Sequence, residues 1–344
     1  MIKVDHVKFR DQLLKVLERN NLSHDISIEI VESLITTSLR GVDSHGINLF
    51  PHYYQELISG RINKNPNITF SNNLTSALVM DADNTFGHYA GSLAVEKCID
   101  IAKFTGISIV VVKNSNHFGA AAYFTEKAAK KNMLSFAFCN TEALVNAFNS
   151  KEAFLGTNPF CFSAPMHEEE SFCLDMATST VPWNKIKNYR RENKNLENGW
   201  ALNDQGLETL NPHLAHSLTS MGGYKGFGLA TVIEILCSGL SGGPMSKDIA
   251  PLYNLDIIDD RKISHCFIAI DIAKLINIDL FKLYMSKLSK QIRSLPKSSS
   301  EEVMIAGDKE KNAYKNRIVT GIPIDENKFQ EFLNISKDFQ NTII

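Results

Sequence analysis

Apolar positions change their period along this chain. From residue 4 to 40 they recur at helical spacing. Val7, Phe9, Leu13, Leu14 and Leu17 form one run, and Ile26, Ile28, Ile30, Val31, Leu34 and Ile35 the next. Asn20-Asn21-Leu22-Ser23 breaks the two apart, Asp25 stands where a cap is expected, and Gly41 closes the pair. A third short helix is predicted over 49–59, stopped by Gly60. The polar stretch 61–74, with Pro66 and several asparagines, reads as a linker. Beyond it, strands predicted at 75–81, 107–112 and 134–139 alternate with helices at 87–104 and 120–131. Such alternation ordinarily builds a parallel, doubly wound sheet. Residues 161–164 form an apolar stretch after a tight turn, later strands are predicted at 172–179 and 266–271, and helices are predicted from the 221–228 run to about 240, at 279–295 and at 308–319. Residues 303–308 read as a short strand into a turn, and the charged run 188–196 as a solvated segment.

Composition narrows the classes. The 344 residues are 44% hydrophobic and 22% charged, enough for one or two cored domains. A net charge of −2 gives no electrostatic footprint for nucleic acid or an anionic membrane. The six cysteines lie singly, with no CxxC pair, so neither a zinc knuckle nor a disulfide framework is indicated and a reducing cytoplasm is expected. The start, Met1-Ile2-Lys3-Val4-Asp5-His6, lacks an apolar signal core, and no apolar run is long enough to span a bilayer. No His/Cys/Asp cluster has metal-ligand spacing, so no metal is expected.

Candidate chemistry sits at turns. His117, in Ser115-Asn116-His117-Phe118-Gly119-Ala120, lies where a buried strand delivers the chain into a helix, a usual place for chemistry in open α/β sheets. A lone histidine there can equally be a helix cap. A second histidine, in Asp43-Ser44-His45-Gly46, strengthens the catalytic reading. Gly222-Gly223-Tyr224-Lys225-Gly226 opens a helix with free amides and an ammonium. It reads either as an anion site or as a glycine-rich turn with a surface lysine. No G-x-G-x-x-G follows a strand and no Walker A pattern is present, so a nucleotide would bind by other means.

Taken together, Arg40-Gly-Val-Asp-Ser-His-Gly46, Ser115-Asn-His-Phe-Gly-Ala120, Leu155-Gly-Thr-Asn-Pro159, Leu174-Asp-Met-Ala-Thr178, Gly199-Trp-Ala201, Gly223-Tyr-Lys-Gly-Phe-Gly-Leu229 and Gly321-Ile-Pro323 resemble the malate/L-lactate dehydrogenase family outside the Rossmann group. The resemblance implies an α/β fold: a mixed-sheet NAD(P)-binding domain (73–284) plus a small helical domain made from both chain ends (1–72 with 285–344). It implies a homodimer using NAD or NADP to move a hydride to or from a 2-hydroxy/2-oxo acid (malate, lactate or ureidoglycolate-like) or a related carbonyl or imine. His117 then matches the proton donor and acceptor, with His45 and Asp175 beside it. Thr141, Asp175, Met176, Ala177, Lys225, Gly307 and Asp308 match cofactor positions, with Thr157, Asn158 and Thr178 nearby. Ser44 and Tyr53 match substrate positions.

Two departures stand out. Where the family carries a carboxylate-clamping arginine, this chain has Leu49, which offers no donor fork. Arg40, Arg61 or Asn48 could serve instead, or the chain could be a non-catalytic cofactor-binding or scaffold homologue. The family's Pro-Gly-Glu turn reads Ala306-Gly307-Asp308 here, which keeps the glycine and an acid.

Overall fold

The structure, a computed structural model, describes residues 1–71, 75–253 and 259–344. A short strand β1 (Ile2–Val4) leads into helices α1 (His6–Arg19), α2 (His24–Leu39) and α3 (Phe50–Ser59). Then follow β2 (Thr69–Phe70), β3 (Ala77–Asp81), α4 (Gly87–Thr105), β4 (Ile107–Ser115), α5 (Ala122–Ala129) and β5 (Met133–Cys139). Two short strands, β6 (Val145–Asn146) and β7 (Ala153–Leu155), precede the paired β8 (Phe160–Ala164) and β9 (Phe172–Met176). Next come α6 (Trp183–Arg191), β10 (Ala201–Leu202), β11 (Ser217–Leu218), α7 (Tyr224–Glu234) and β12 (Ile263–Asp271). The chain ends with α8 (Ile278–Arg293), α9 (Asp308–Thr320), β13 (Ile322–Ile324) and α10 (Glu326–Ile335).

The helical core draws on both ends of the chain. Asp5 starts α1 by accepting from the amides of Val7 and Lys8, and Ser23 caps α2. Asp25, expected as that cap, lies instead in the first turn, where its charge meets the positive end of the helix. The ring of Phe9 on α1 meets that of Phe332 on α10 edge-on at 5.0 Å and that of Phe339 at a tilt, also at 5.0 Å. β1 pairs antiparallel with β13, so backbone hydrogen bonds fasten the two ends as well. Helix α10 has no counterpart among the predicted elements. Its start is capped by Asp325, and its apolar payload is Phe329 and Phe332, both buried.

The main sheet has seven strands in the order β2-β3-β4-β12-β5-β8-β9. Only β3 and β4 run parallel. The doubly wound parallel sheet that strand–helix alternation ordinarily builds is thus absent, and the mixed sheet that the family resemblance implies is present. The cause is β12, which enters antiparallel between β4 and β5 and sets His265 between Val112 and Cys139. Local alternation of strand and helix carries no signal for a strand inserted from more than a hundred residues later. Helix α4 packs on β4 and β12, and α5 on β5 and β8, through Ala90, Ala94, Cys98, Phe124 and Phe267. The opposite face is closed by α7 and the π turn that continues it (Ile235–Gly239), over Val111, Phe138 and Cys266.

Two segments differ from expectation. The charged run begins inside helix α6 and is only partly solvated, because Tyr189 packs edge-on against Trp200 and Arg190 donates to the carbonyls of Pro212 and Ala215. Residues 303–307 make a turn and no strand. The division expected at 285 falls within α8, which grips the chain at His167 through both hydrogen bonds of Ser286, each 3.1 Å. Among the described residues no helix is long and apolar enough to cross a membrane.

Truncating Phe332 to alanine removes the ring that Phe9, Phe50 and Phe339 share. We expect a loss of about 3–5 kcal/mol of stability, read from urea unfolding followed by far-UV circular dichroism. A loss below about 1 kcal/mol would show that the chain ends are not held by this cluster.

Candidate active site

His117 owes its place to the loop that follows β4. Asn116, fully buried, donates from Nδ2 to the carbonyls of Asn84 and Thr85 at 3.1 and 2.9 Å. These bonds pin the loop against the start of α4. The approach is close enough that a Cβ at Gly87 would stand 2.1 Å from the Asn116 carbonyl and 2.6 Å from that of His117. Only glycine fits. The imidazole is then fixed from the helical side, where the hydroxyl of Tyr53 on α3 meets Nδ1 at 2.6 Å. The amide of Gly119 also points at Nδ1, at 3.4 Å. An amide can only donate, so this contact favours a bare Nδ1 and a proton on Nε2, a tautomer inferred from the partners. Tyr53 can donate to that form, and can accept from Nδ1 when the ring carries a proton there.

His45 comes from the turn after α2. Arg317 of α9 holds that turn with a bidentate grip on Asp43, at 2.5 and 2.9 Å. Ser44 Oγ lies 2.9 Å from Nδ1 of His45, and the His45 ring stands 5.7 Å from that of His117, 26° from parallel. Burial pushes the proton affinity of both rings below the usual imidazole range, His117 well below it. For His117 the neighbouring His45 and the guanidinium of Arg261 push the same way.

The two histidines open onto a cavity of ≈ 1040 Å³. That is at the top of the range of ~300–1,000 Å³ for ligand pockets. Ser44, His45, Leu49 and His117 form one side, and Thr141, Thr157, Asp175, Met176, Ala177 and Gly307 another. Asp175 accepts from the amide of Ala122 at 2.8 Å. Its surface is open to the cavity, yet protein encloses it all round, and this enclosure pushes its carboxyl up to about 6. Gly307, at φ +95°, lets the chain run against β9, where a Cβ would lie 3.3 Å from the backbone N and O of Cys173.

The other residues singled out from the sequence stand behind or away from these walls. Tyr53 is buried and reaches His117. Asn158 is buried beneath Thr141, accepting from its amide at 3.3 Å and donating to Glu234 at 3.0 Å. Thr178 donates to the Thr157 carbonyl at 2.9 Å. Asp308 pairs with Arg293 at 2.6 Å and caps the amide of Ile305, so it shapes the turn that carries Gly307. Asn48 donates to the Asp43 carbonyl at 3.3 Å. Lys225 is exposed at the start of α7, outside the cavity walls. Arg40 lines the cavity, but Glu126 and Glu170 hold it at 2.8 and 3.2 Å. Arg61 is buried against Glu56 and the carbonyls of Pro251 and Leu252. Glu142, Lys187 and Tyr253, also on the walls, carried no motif that could have marked them.

Such a site defines a class: an α/β protein with a mixed sheet and a deep cleft, in which two neutral imidazoles face a wall built of short backbone turns. The chain belongs to the malate/L-lactate dehydrogenase family, whose model matches residues 4–333. It is 33% identical to a malate dehydrogenase of Pyrococcus horikoshii over 98% of this chain and 95% of that protein. It is 26% identical to the NAD(+) ureidoglycolate dehydrogenase of Escherichia coli over 94% of each. Among solved structures it superposes on malate dehydrogenase from Entamoeba histolytica with a TM-score of 0.92, at 26% identity over 98% of both chains. The sulfolactate dehydrogenase of Methanocaldococcus jannaschii gives 0.91, at 29% identity over 99% of this chain and 98% of that one.

Below this site the buried rings of His88 and His265 are held neutral, each pushed down to about 3 by burial. A ring that titrates near 6.5 when unfolded and near 3 when folded takes up a proton on unfolding between those values. Its stabilising contribution is complete above about 6.5 and is lost as pH falls toward 3. Replacing His265 with glutamine should flatten the dependence of stability on pH between about 6 and 4, by up to ~1.4 kcal/mol per pH unit. Urea midpoints across that range give the slope, and an unchanged slope would mean the ring is charged in the folded protein.

Proposed function

We propose that the protein is a nicotinamide-dependent oxidoreductase that transfers a hydride between NAD or NADP and a 2-hydroxy/2-oxo acid or a related carbonyl or imine. The observation that carries this reading is an enclosed imidazole, His117, whose far nitrogen is held by Tyr53 while its ring faces a cleft of cofactor size. The wall opposite fits a dinucleotide. Gly307 brings bare backbone to the cleft, and the Asp175 carboxylate is an acceptor suited to a ribose hydroxyl. We assign cofactor contact to Thr141, Asp175, Met176, Ala177 and Gly307, with Asn158, Thr178 and Asp308 bracing them from behind.

The cofactor, when bound, supplies or accepts the hydride, and the chain must handle the proton. In the direction of reduction, His117 enters as imidazolium, its Nδ1–H donated to the Tyr53 oxygen. It gives the Nε2 proton to the developing alkoxide and returns to the neutral form. In oxidation, the ring first shifts to the tautomer with its proton on Nδ1, donated to the Tyr53 oxygen, and then takes the hydroxyl proton at Nε2. Burial lowers the ring's proton affinity, which makes the imidazolium a stronger acid for the first direction. His45, beside His117, orients the ring and raises the cost of charging it. Ser44 sets the orientation of His45.

Leu49 on the cleft wall keeps a second reading in view, a cofactor-binding homologue without turnover. The two separate on one experiment. His117→Asn is expected to keep NADH or NADPH binding, measured by fluorescence titration, while turnover on responsive 2-oxo acids falls about 10²–10⁴-fold. Near-normal turnover would place the acid elsewhere. Failure of the unmodified protein to oxidise NAD(P)H with any such acid would favour the second reading.

We further propose that the protein works as a homodimer in the cytoplasm. Leu280, Leu283 and Tyr284 stand 50% or more exposed along α8, as do Val232 and Ile235 along α7 and its continuation, and isolated surface residues rarely line up so. All six cysteines are buried free thiols, which suits a reducing compartment. Sedimentation equilibrium should give twice the chain mass, and Leu283→Glu with Tyr284→Lys should halve it. A monomer in the unmodified protein would remove the dimer proposal.

A further inference from the structure

A 2-hydroxy acid brings a carboxylate into the cleft, and a longer acid brings a second negative group. Taking either out of water is costly unless a cation receives it. The positive side chains on the cleft walls differ in what already occupies them. Arg40 is engaged by two carboxylates. Lys247 and Lys309 stand exposed at the rim, already hydrated. Lys187 is in neither condition. It lines the cleft from α6, half-buried, and makes no hydrogen bond or ion pair with any other described residue.

What holds Lys187 is a ring. Its Nζ lies 3.7 Å from the centroid of Tyr253, a cation–π contact that orients the ammonium and leaves its proton donors unspent. The nearby carboxylate, Glu142, is taken by the guanidinium of Arg261 at 2.6 Å. Burial lowers the proton affinity of Lys187, the expected sign for an ammonium without a close anion. The Tyr253 ring stands 5.2 Å from His52, and the His52 ring 6.0 Å from Tyr53, the residue that holds His117. Lys187, Tyr253 and His117 thus line one cleft, and the rings of His52 and Tyr53 connect Tyr253 to the proton-handling imidazole from behind the wall. Leu49 and Leu252 also line the cleft, and neither offers a polar group to an incoming anion.

We propose that Lys187 is the specificity-determining cation of this cleft: it receives the distal carboxylate or sulfonate of a dianionic 2-hydroxy/2-oxo acid whose C2 oxygen lies at His117. The proposal rests on the hydride-transfer reading above. It makes the substrate class a short acid with a second anionic end, in preference to a monocarboxylate. Lys187 then acts in binding and not in the chemical step, so its loss should appear in KM more than in kcat.

The test uses the full-length protein and the variants Lys187→Met and Lys187→Arg, with NADH and NADPH as reductants. Oxaloacetate and 3-sulfopyruvate carry the second charge, and pyruvate lacks it. The unmodified protein is expected to prefer the dianions. Lys187→Met should lower the ratio of kcat/KM for either dianion over pyruvate by roughly tenfold or more, mainly through KM, and Lys187→Arg should restore most of it. α6 buries only Ile186, so the variants should fold, and circular dichroism verifies that. An unchanged ratio in Lys187→Met overturns the proposal. If the unmodified protein reduces none of the acids, the hydride-transfer reading has failed, and Lys187 is judged by calorimetric binding of tartronate, a dianionic 2-hydroxy acid, with no oxidised cofactor present. Binding that weakens about tenfold in Lys187→Met supports it, and equal binding, or none to the unmodified protein, overturns it.

Discussion

The hydroxyl of Tyr53 on Nδ1 of His117, at 2.6 Å, joins the two halves of the fold at the point where the chemistry is proposed. Tyr53 belongs to the helical core, and His117 to the loop that leaves the main sheet. Neither half alone fixes the ring. The sheet supplies the backbone position through Asn116 and favours a tautomer through the Gly119 amide, and the helices supply the rotation through Tyr53. A site built in this way needs its halves held firmly together, and the polar contacts around it serve that end. Arg317 of α9 grips Asp43 beside His45, and Arg293 of α8 grips Asp308 beside Gly307. Each guanidinium comes from the last part of the chain and braces a turn on the cleft. The carboxy-terminal helices therefore act on the site mainly by bracing its turns, with Lys309 and Glu310 at the start of α9 on the cleft lining.

The mixed sheet follows from the same requirement. Inserting β12 antiparallel between β4 and β5 spreads those strands apart and places His265 under the His117 loop, its ring 4.6 Å from that of Phe118 and 5° from parallel. His265 bonds to Ser115, the last residue of β4, at 2.9 Å. The end of the strand that delivers His117 is thus fixed by stacking from below and by a side-chain bond from its new neighbour. His88 packs edge-on against Tyr53 at 4.8 Å and completes the layer. These rings stay neutral because burial makes charging them costly, and neutral rings can stack closely without repelling one another.

Much of this was legible in the sequence because it rests on local rules. Amphipathic spacing marks α1 and α2, a β-branched run marks β4, a short apolar run marks β5, and turns carrying histidine or glycine mark both candidate catalytic residues. The unread parts are those decided by distant partners. Nothing near residue 263 says that the strand will enter between β4 and β5. Helix α10 hides because its two phenylalanines are too few for a clear period. The resemblance marks Asp308 as a cofactor position and Asn158 and Thr178 as its neighbours, and the structure sets all three one layer behind, where they hold the turn of Gly307, Thr141 and Thr157. A motif marks where a residue matters, and only packing decides whether it touches the cleft or supports what does.

The balance of charge on the cleft walls follows from burial. Arg40, set deep, carries its own carboxylates, and Arg261 behind the wall is matched by Glu142. Pairing of this kind avoids the cost of leaving a buried charge alone. It also makes these arginines poor receivers for an incoming anion, because binding one would first break a pair in low dielectric. A cation that is to serve a ligand has to be stabilised by something that does not compete with the ligand. An aromatic face meets that condition: it lowers the energy of an ammonium while leaving every N–H free to donate. By that argument the guanidinium groups around this cleft are structural, and a lysine lying on a tyrosine is the group free to discriminate among acids.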